Sequence, residues 1–428
     1  MTALRVHGGR PLCGTLEAAG NKNAALPLLA AALLTDEPVR LENVPDIGDV
    51  RVLLELITAA GVSVSWEPTR RTVEVQARQV SSRELPAALY GRLRAGVLLA
   101  APLLVRVGEA VMAPPGGDVI GRRRLDAHLE GLEALGVQVD LGERLRFRAP
   151  RGLRGADIFL PEASVTATEQ VLMAAVLARG TTRIHNAACE PHVQDVARLL
   201  VAMGARIEGI GSNTLAITGV ERLHGASYRI GSDFCEAASF LALAAATGGD
   251  VTVRGVEPEH YRMIGRTLRR LGVVLEAGPD WLRVGPEQPR RVVPERAGGM
   301  PVIDDGIWPQ FPSDLMSVTI VLATQVSGTV LFFEKLYESR MAFVDRLVAM
   351  GANAVICDPH RAVISGPSTL HGMVLQSPDI RAGIALLGAA LCARGESLIR
   401  NAESIDRGYA DITGILQSLG ADVERTSG

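Results

Sequence analysis

Four stretches of this sequence set charged residues among turn formers. The first is Pro114-Pro-Gly-Gly-Asp-Val-Ile-Gly-Arg-Arg-Arg124, followed by Leu125-Asp126-Ala-His128. Its prolines and glycines make a loop, and glycine allows close approaches that a side chain forbids. One acid, Asp118, rides on it with three arginines behind. Taken alone, the stretch reads equally as a solvated surface loop or as a site, since loops carry chemistry disproportionately. The second is Gly20-Asn-Lys-Asn-Ala-Ala-Leu-Pro27, at the start of an apolar run. Asn23 can cap a helix there. Lys22 is out of place, because a cation is unfavourable at a helix N-terminus. A bound anion would remove the conflict. The third is Trp308-Pro-Gln-Phe-Pro-Ser-Asp314, where Asp314 by itself reads as a helix cap. The fourth pairs Ser377-Pro-Asp-Ile-Arg381 with Ile405-Asp-Arg-Gly-Tyr409, two arginines beside turn residues and apolar runs.

The elements that must hold these residues repeat. Short Ala/Leu/Val runs occur at Asn23–Leu34, Arg94–Leu104, Ala167–Ala178, Ala237–Ala246, Leu315–Ala323 and Ala382–Ala393. Polar residues lead them: Lys22, Arg94, Ser164 with Thr168, Asp233 with Glu236, Asp314, and Arg381. A helix apolar on every side belongs in an interior. Its first turn has four free N–H groups and a partial positive charge. Six such ends make an anionic substrate the first thing to look for.

A second repeat runs in phase with the first. Gly followed by Val or Ala, then a β-like stretch, recurs at Gly61, Gly136, Gly204, Gly272, Gly351 and Gly420. Before Gly204, the residues Val196, Leu199, Leu200 and Met203 mark one face of a helix, which Gly204 ends as a C-terminal cap. Ile207 then starts a strand, Gly211-Ser-Asn213 turns the chain, and Leu215 and Ile217 alternate on the next strand. Each unit therefore holds a buried helix, an amphipathic helix and several strands. The repeat, roughly 70 residues long, exceeds the usual solenoid period. Small αβ modules, three to a domain, fit better, with the division near Ile230–Asp233.

Composition sets the outer bounds. The 428 residues, 47% apolar and 21% charged, suffice for two or more domains. A net charge of −3 gives no general attraction to nucleic acid. The five cysteines form no CxxC pair, so neither a disulfide framework nor a zinc site is expected. No apolar stretch reaches the ~20 residues of a membrane span. The start lacks the apolar core of a signal sequence. We expect a cytoplasmic, soluble protein, without metal, nucleic-acid or membrane partners. No GxxxxGK[ST] and no GxGxxG between strand and helix is present.

Several segments carry a family resemblance over nearly the whole chain, in order. They are Gly20-Asn-Lys-Asn-Ala-Ala-Leu-Pro, Pro-Gly-Gly-x-x-Ile-Gly-x-Arg, Ser164-Val-Thr-Ala-Thr168, Asn186-Ala-Ala-Cys-Glu-Pro191, Phe311-Pro-Ser-Asp314, Asp-Ile-Arg381 and Asp406-Arg-Gly-Tyr409. Together they resemble the UDP-N-acetylglucosamine 1-carboxyvinyltransferases. The resemblance implies an α/β fold: the two-domain inverted α/β barrel of the enolpyruvyl transferases, with six βαβαββ modules, three per domain. It places residues 21–231 in one domain, with a mobile catalytic loop at about 113–124. Residues 1–20 plus 232–428 form the other, with the active site in the cleft between them.

The implied reaction transfers the enolpyruvyl group of phosphoenolpyruvate to the 3′-hydroxyl of UDP-N-acetylglucosamine. Phosphate leaves, in an addition followed by an elimination that needs no cofactor. This is the first committed step toward peptidoglycan, and so serves cell-wall biogenesis, shape and division. By motif position, the resemblance assigns Lys22, Asn23, Arg94, Arg123, Arg340, Arg381 and Arg407 to phosphoenolpyruvate. It lines the sugar-nucleotide site with Asn23, Arg94, Arg123, Arg124, Leu125, Asp126, Ala127, Ser164, Val165, Thr166, Asp314 and Leu336. Asp314 is the implied base, and Lys22, Arg123 and Arg407 are implied to hold the intermediate. A monomer or weak homo-oligomer is expected.

Asp118 stands where many members carry cysteine and others aspartate, and is the candidate general acid. A free carboxyl titrates near ~4, so it would need a raised pKa to donate a proton. A carboxylate attacks epoxides poorly compared with a thiolate, so insensitivity to fosfomycin is expected. Three departures from the family pattern bear on the acceptor. The usual Asp-Arg-Ile-Glu-Ala-Gly-Thr is Asp233-Phe-Cys-Glu-Ala-Ala-Ser239, Asn-Arg-Phe is Ser339-Arg-Met341, and a proline is replaced by Arg124. They leave open a related transferase acting on shikimate 3-phosphate, or a sugar-nucleotide-binding paralog without catalysis.

Overall fold

The structure is a computed structural model that describes residues 2–117, 121 and 124–427. The chain divides into two compact units, one holding Gly20–Asp118 and Arg123–Gly231, the other Met1–Ala19, Val119–Arg122 and Ser232–Gly428.

The apolar runs fold into six helices: α1 (Lys22–Ala31), α2 (Ala100–Val107), α3 (Val165–Ala175), α4 (Phe234–Thr247), α5 (Met316–Ala323) and α6 (Ile380–Cys392). Every residue of α5 is buried, as is α4 from Phe234 to Ala246. Burial all round is what their largely apolar sequence demands. In the Ser232–Gly428 unit, α4, α5 and α6 pack on one another. In the Gly20–Gly231 unit, α3 packs on α2 and α1, and α1 also touches the Arg94–Leu99 turn that leads into α2.

Outside these helices lie six small sheets among the described residues. One has three strands, Glu109–Met112, Leu145–Arg148 and Gln138–Leu141, all antiparallel. The other five share one four-stranded order. A parallel strand joins a central strand, and two antiparallel strands follow. In one sheet Asp157–Phe159 runs parallel to Thr181–His185, which pairs antiparallel with Thr214–Thr218 and then Arg206–Glu208. Another has Cys13–Glu17, Asp250–Arg254, Trp281–Val284 and Glu276–Ala277 in the same roles. Alternation buries one face: Val39 and Leu41 lie opposite Val75 and Val73, all four fully buried. Each unit closes on itself by borrowing a strand. Ala226–Arg229, last in its unit, pairs with Val39–Glu42 of the first module. The N-terminal Thr2–His7 lies between Glu396–Arg400 and Asp422–Ser427, in the last module.

The outer helices end as their sequence predicts. Gly61, Gly136, Gly204, Gly272, Gly351 and Gly420 all have positive φ, between 69° and 108°. A side chain at that φ would strain the backbone, so glycine is what lets each helix turn into its strand.

Candidate functional site

In the Gly20–Gly231 unit, the start of α1 is built by Asn21. Its side-chain oxygen accepts from the N–H of Asn23 at 2.8 Å and of Ala24 at 3.2 Å. The cap is therefore Asn21. Asn23, which the sequence offered for that role, lies inside the first turn, because the helix begins one residue earlier, at Lys22. Gly20 must be glycine: a Cβ there would lie 1.7 Å from the Asn43 carbonyl oxygen. Pro27 lacks the N–H that would bind the Asn23 carbonyl, which thins the helix's own bonding in that turn. Lys22 Nζ sits 2.8 Å from the Asp49 carboxylate.

The stretches assigned to the sugar nucleotide converge in this unit. Arg124, Leu125, Asp126 and Ala127 lead into the helix Asp126–Ala134, while Ser164, Val165 and Thr166 open α3. Ser164 caps α3, accepting from Ala167 N–H at 3.4 Å. His128 ties the two stretches together. Its Nδ1 lies 2.5 Å from Gln170 Oε1 and its Nε2 lies 3.0 Å from Thr166 Oγ1. Gln170 donates from Nε2 to the Val97 carbonyl at 2.7 Å. Gln170 Oε1 must then accept from His128 Nδ1–H, and His128 Nε2 accepts from Thr166. Burial lowers the His128 pKa to about 4, so the ring is neutral at pH 7. Arg94 donates from Nη2 to the Arg124 carbonyl at 3.1 Å. His128 and Gln170 were not assigned roles from sequence. The signal was the His128 position, four residues beyond the arginine cluster and on the buried side of a short helix.

In the Ser232–Gly428 unit, Asp314 is not a helix cap. It lies within the tight turn Ser313–Leu315 before α5, whose N-cap position is Pro312, while α5 itself has Leu315 at its N-cap. Both its oxygens face arginines: Arg340 Nη2 at 2.7 Å and Arg381 Nη2 at 2.5 Å. Those two side chains are 7% and 10% exposed, so each charge is held almost out of water. Burial works against the charge on Arg381, but Asp314, first among several groups, outweighs it and raises the pKa. Arg381 also donates from Nη1 to Tyr409 Oη at 3.3 Å. Tyr409 Oη lies 3.1 Å from Ser239 Oγ, which donates to the Cys235 carbonyl at 2.7 Å. Burial pushes the Tyr409 phenol up to about 12, so it stays a donor. Arg407 ends the short helix Glu403–Asp406, two residues before Tyr409. Leu336 lies on the loop after Gly328–Phe333 and is 44% exposed.

The altered Asp233–Ser239 motif opens α4. Asp233 caps it, accepting from Cys235 and Glu236 N–H groups. Phe234, where the family pattern has arginine, packs its ring on Trp308 and His260, with centroids 5.6 and 6.4 Å away. Apolar stacking thus occupies that position. Asp118 and Arg123 lie outside the described residues. Among the described residues no group of three or more His, Cys, Asp or Glu is arranged to hold a metal ion. Among the described residues no helix is long and apolar enough to cross a membrane.

Residues 6–416 match the family model of EPSP synthase (3-phosphoshikimate 1-carboxyvinyltransferase). A UDP-N-acetylglucosamine 1-carboxyvinyltransferase from Bradyrhizobium diazoefficiens is 52% identical, over 98% of this chain and 97% of that one. One from Treponema pallidum is 51% identical over 99% of both. The chain belongs to the UDP-N-acetylglucosamine 1-carboxyvinyltransferase family. It is accordingly a transferase. Among solved structures, the enolpyruvyl transferase NikO from Streptomyces tendae superposes with a TM-score of 0.88 at 26% identity, covering 100% of this chain and 99% of that one. The fold is that of the enolpyruvyl transferases, as the sixfold sequence pattern and its motifs imply.

Proposed function

We propose that this carboxyvinyltransferase joins phosphoenolpyruvate to the 3′-hydroxyl of UDP-N-acetylglucosamine, the first committed step of peptidoglycan precursor synthesis in the cytoplasm. The carrying observation is Asp314 clamped by two nearly buried arginines. A carboxylate so held is oriented to take a proton, and guanidiniums out of water bind phosphate and carboxylate strongly.

In this reading Asp314 takes the proton of the sugar hydroxyl as its oxygen bonds to C2 of phosphoenolpyruvate. Asp118 delivers a proton to the methylene carbon. Loss of a proton from that carbon then expels phosphate and restores the double bond. Lys22, Arg123 and Arg407 hold the substrate and the tetrahedral intermediate, and Arg94, Arg340 and Arg381 complete the cationic shell. Asn23, Arg124–Ala127, Ser164–Thr166 and Leu336 receive the sugar nucleotide. The His128–Gln170–Thr166 bonds support this reading, since they fix two of these stretches against one another.

The test is incubation of the purified protein with phosphoenolpyruvate and each of two acceptors, followed by mass spectrometry and phosphate assay. Enolpyruvyl-UDP-N-acetylglucosamine with equimolar phosphate is expected. Product only from shikimate 3-phosphate would reassign the acceptor, and none from either would leave a binding protein.

A further inference from the structure

Behind the Asp314 clamp lies a second acid pair that the reaction does not use. Glu334 ends the strand Gly328–Phe333 and Asp305 ends Val302–Asp304, two parallel neighbours, and both carboxyls are fully buried. Glu334 accepts from Ser313 Oγ at 2.8 and 3.0 Å through its two oxygens, and from Tyr337 N–H at 3.2 Å. Asp305 accepts from Lys335 N–H at 2.5 Å. Ser313 is the residue before Asp314, and the segment Lys335–Tyr337 leads to Arg340. We propose that Glu334 is a positioning residue, locking the turn that carries Asp314 to the loop that carries Arg340.

The lock depends on a proton. Two buried carboxylates side by side repel, so one of them must be neutral. Asp305 Oδ2 has no donor among the described residues, which is the vacancy that a proton on Glu334 fills. Burial first, and then Asp305, push the Glu334 carboxyl up to about 8. The other charged or titratable groups around it are few. Arg340 lies beyond it and favours its ionised form. His360 Nδ1 meets the Glu334 carbonyl oxygen at 2.7 Å, and Lys335 pairs outward with Asp304. Arg340 Nε and Nη1 are buried without an acceptor among the described residues. The guanidinium thus keeps donors in reserve while Asp314 holds only one of its nitrogens.

This inference rests on Asp314 being the base, so its test carries a readout that does not need turnover. Infrared difference spectra of wild type minus Glu334→Gln should show a protonated carboxyl at pH 7, lost from wild type as pH rises through about 8. In steady-state assays, Glu334→Ala should lower kcat on the order of 100-fold, as for an active group displaced by about an ångström, with KM values changed only a few-fold. Glu334→Gln, which keeps the shape and a donor toward Asp305, should recover most of that kcat and flatten the alkaline limb of its pH profile. If Glu334→Ala does not fold, Ser313→Ala cuts the same link and should lower kcat in the same direction. No carboxyl band in the difference spectrum, or full kcat in both truncated variants, overturns the proposal. A wild type that makes no product instead overturns the functional reading, and the infrared comparison still decides the proton.

Discussion

Lys22 Nζ and the Asp49 carboxylate form an ion pair at 2.8 Å, with side chains only 12% and 6% exposed. Asp49 lies in the first turn of the outer helix Gly48–Ala59, a favourable place for an acid. It answers the anomaly of a lysine at the start of α1. The pair fixes the direction of the ammonium. Removing one partner of a nearly buried pair leaves an uncompensated charge. Asp49→Asn should therefore cost about 3–5 kcal/mol of stability, read by urea denaturation. Inorganic phosphate should restore more stability to the variant than to wild type, because it replaces the lost anion. Equal phosphate effects in both proteins would separate Lys22 from anion binding.

Asp314 should be indispensable for two separable reasons. As a base it should contribute roughly 10²–10⁴ to the rate, so Asp314→Ala should lose at least that in kcat. The same change leaves Arg340 and Arg381 buried without their shared acid, so the variant should also unfold at lower urea. Product formation at a wild-type rate would remove Asp314 from the chemistry, whatever its effect on stability.

His128 sets an acid limit on stability. In the unfolded chain the imidazole titrates near the ordinary 6.5, whereas in the fold its pKa is about 4. Above pH 6.5 both states are neutral and nothing is lost. As pH falls from 6.5 toward 4, only the unfolded chain takes up a proton, and the fold loses about 3 kcal/mol. Below 4 the loss stops growing. Urea midpoints of His128→Gln, measured across that window, should fall less steeply than those of wild type. Parallel curves would mean that the ring is not buried neutral in solution.

The six central helices and their glycine-ended partners were legible because burial and backbone sterics act on single residues. A largely apolar run such as Met316–Ala323 has no polar face to offer water, and Gly204 or Gly351 alone tolerates the φ its turn requires. Borrowed strands were not legible from periodicity. Nothing in Thr2–His7 says that it will pair with Glu396–Arg400, since such pairing is settled by how the modules close. The same division holds for the site. Ser164, Arg381 and Lys22 announce themselves at helix starts. Asp49, Glu334 and Gln170 do not, because their roles depend on partners 27, 21 and 42 residues or so away in sequence. Asp314 misled for the reason that acids before helices usually cap them. Here two arginines engage its oxygens, and hydrogen bonds between charged groups are the stronger kind.

Glu169 sets the opposite limit. It lies on α3, fully enclosed, with Oε1 lacking a donor among the described residues. Burial first, and then the charge of Glu190, hold its carboxyl well above the ordinary 4.5. The folded protein therefore holds the proton to higher pH than the unfolded chain, which releases it near 4.5. Below that pH the group costs nothing. As pH rises above it, stability drains away until the buried carboxyl itself ionises. Methionine has nearly the same length and no charge to lose. Glu169→Met should be more stable than wild type at pH 8, with the gap closing as pH approaches 4.5. The measurement is a set of urea curves at fixed temperature across that range. A gap that stays constant with pH would show that packing, and not the proton, separates the two proteins.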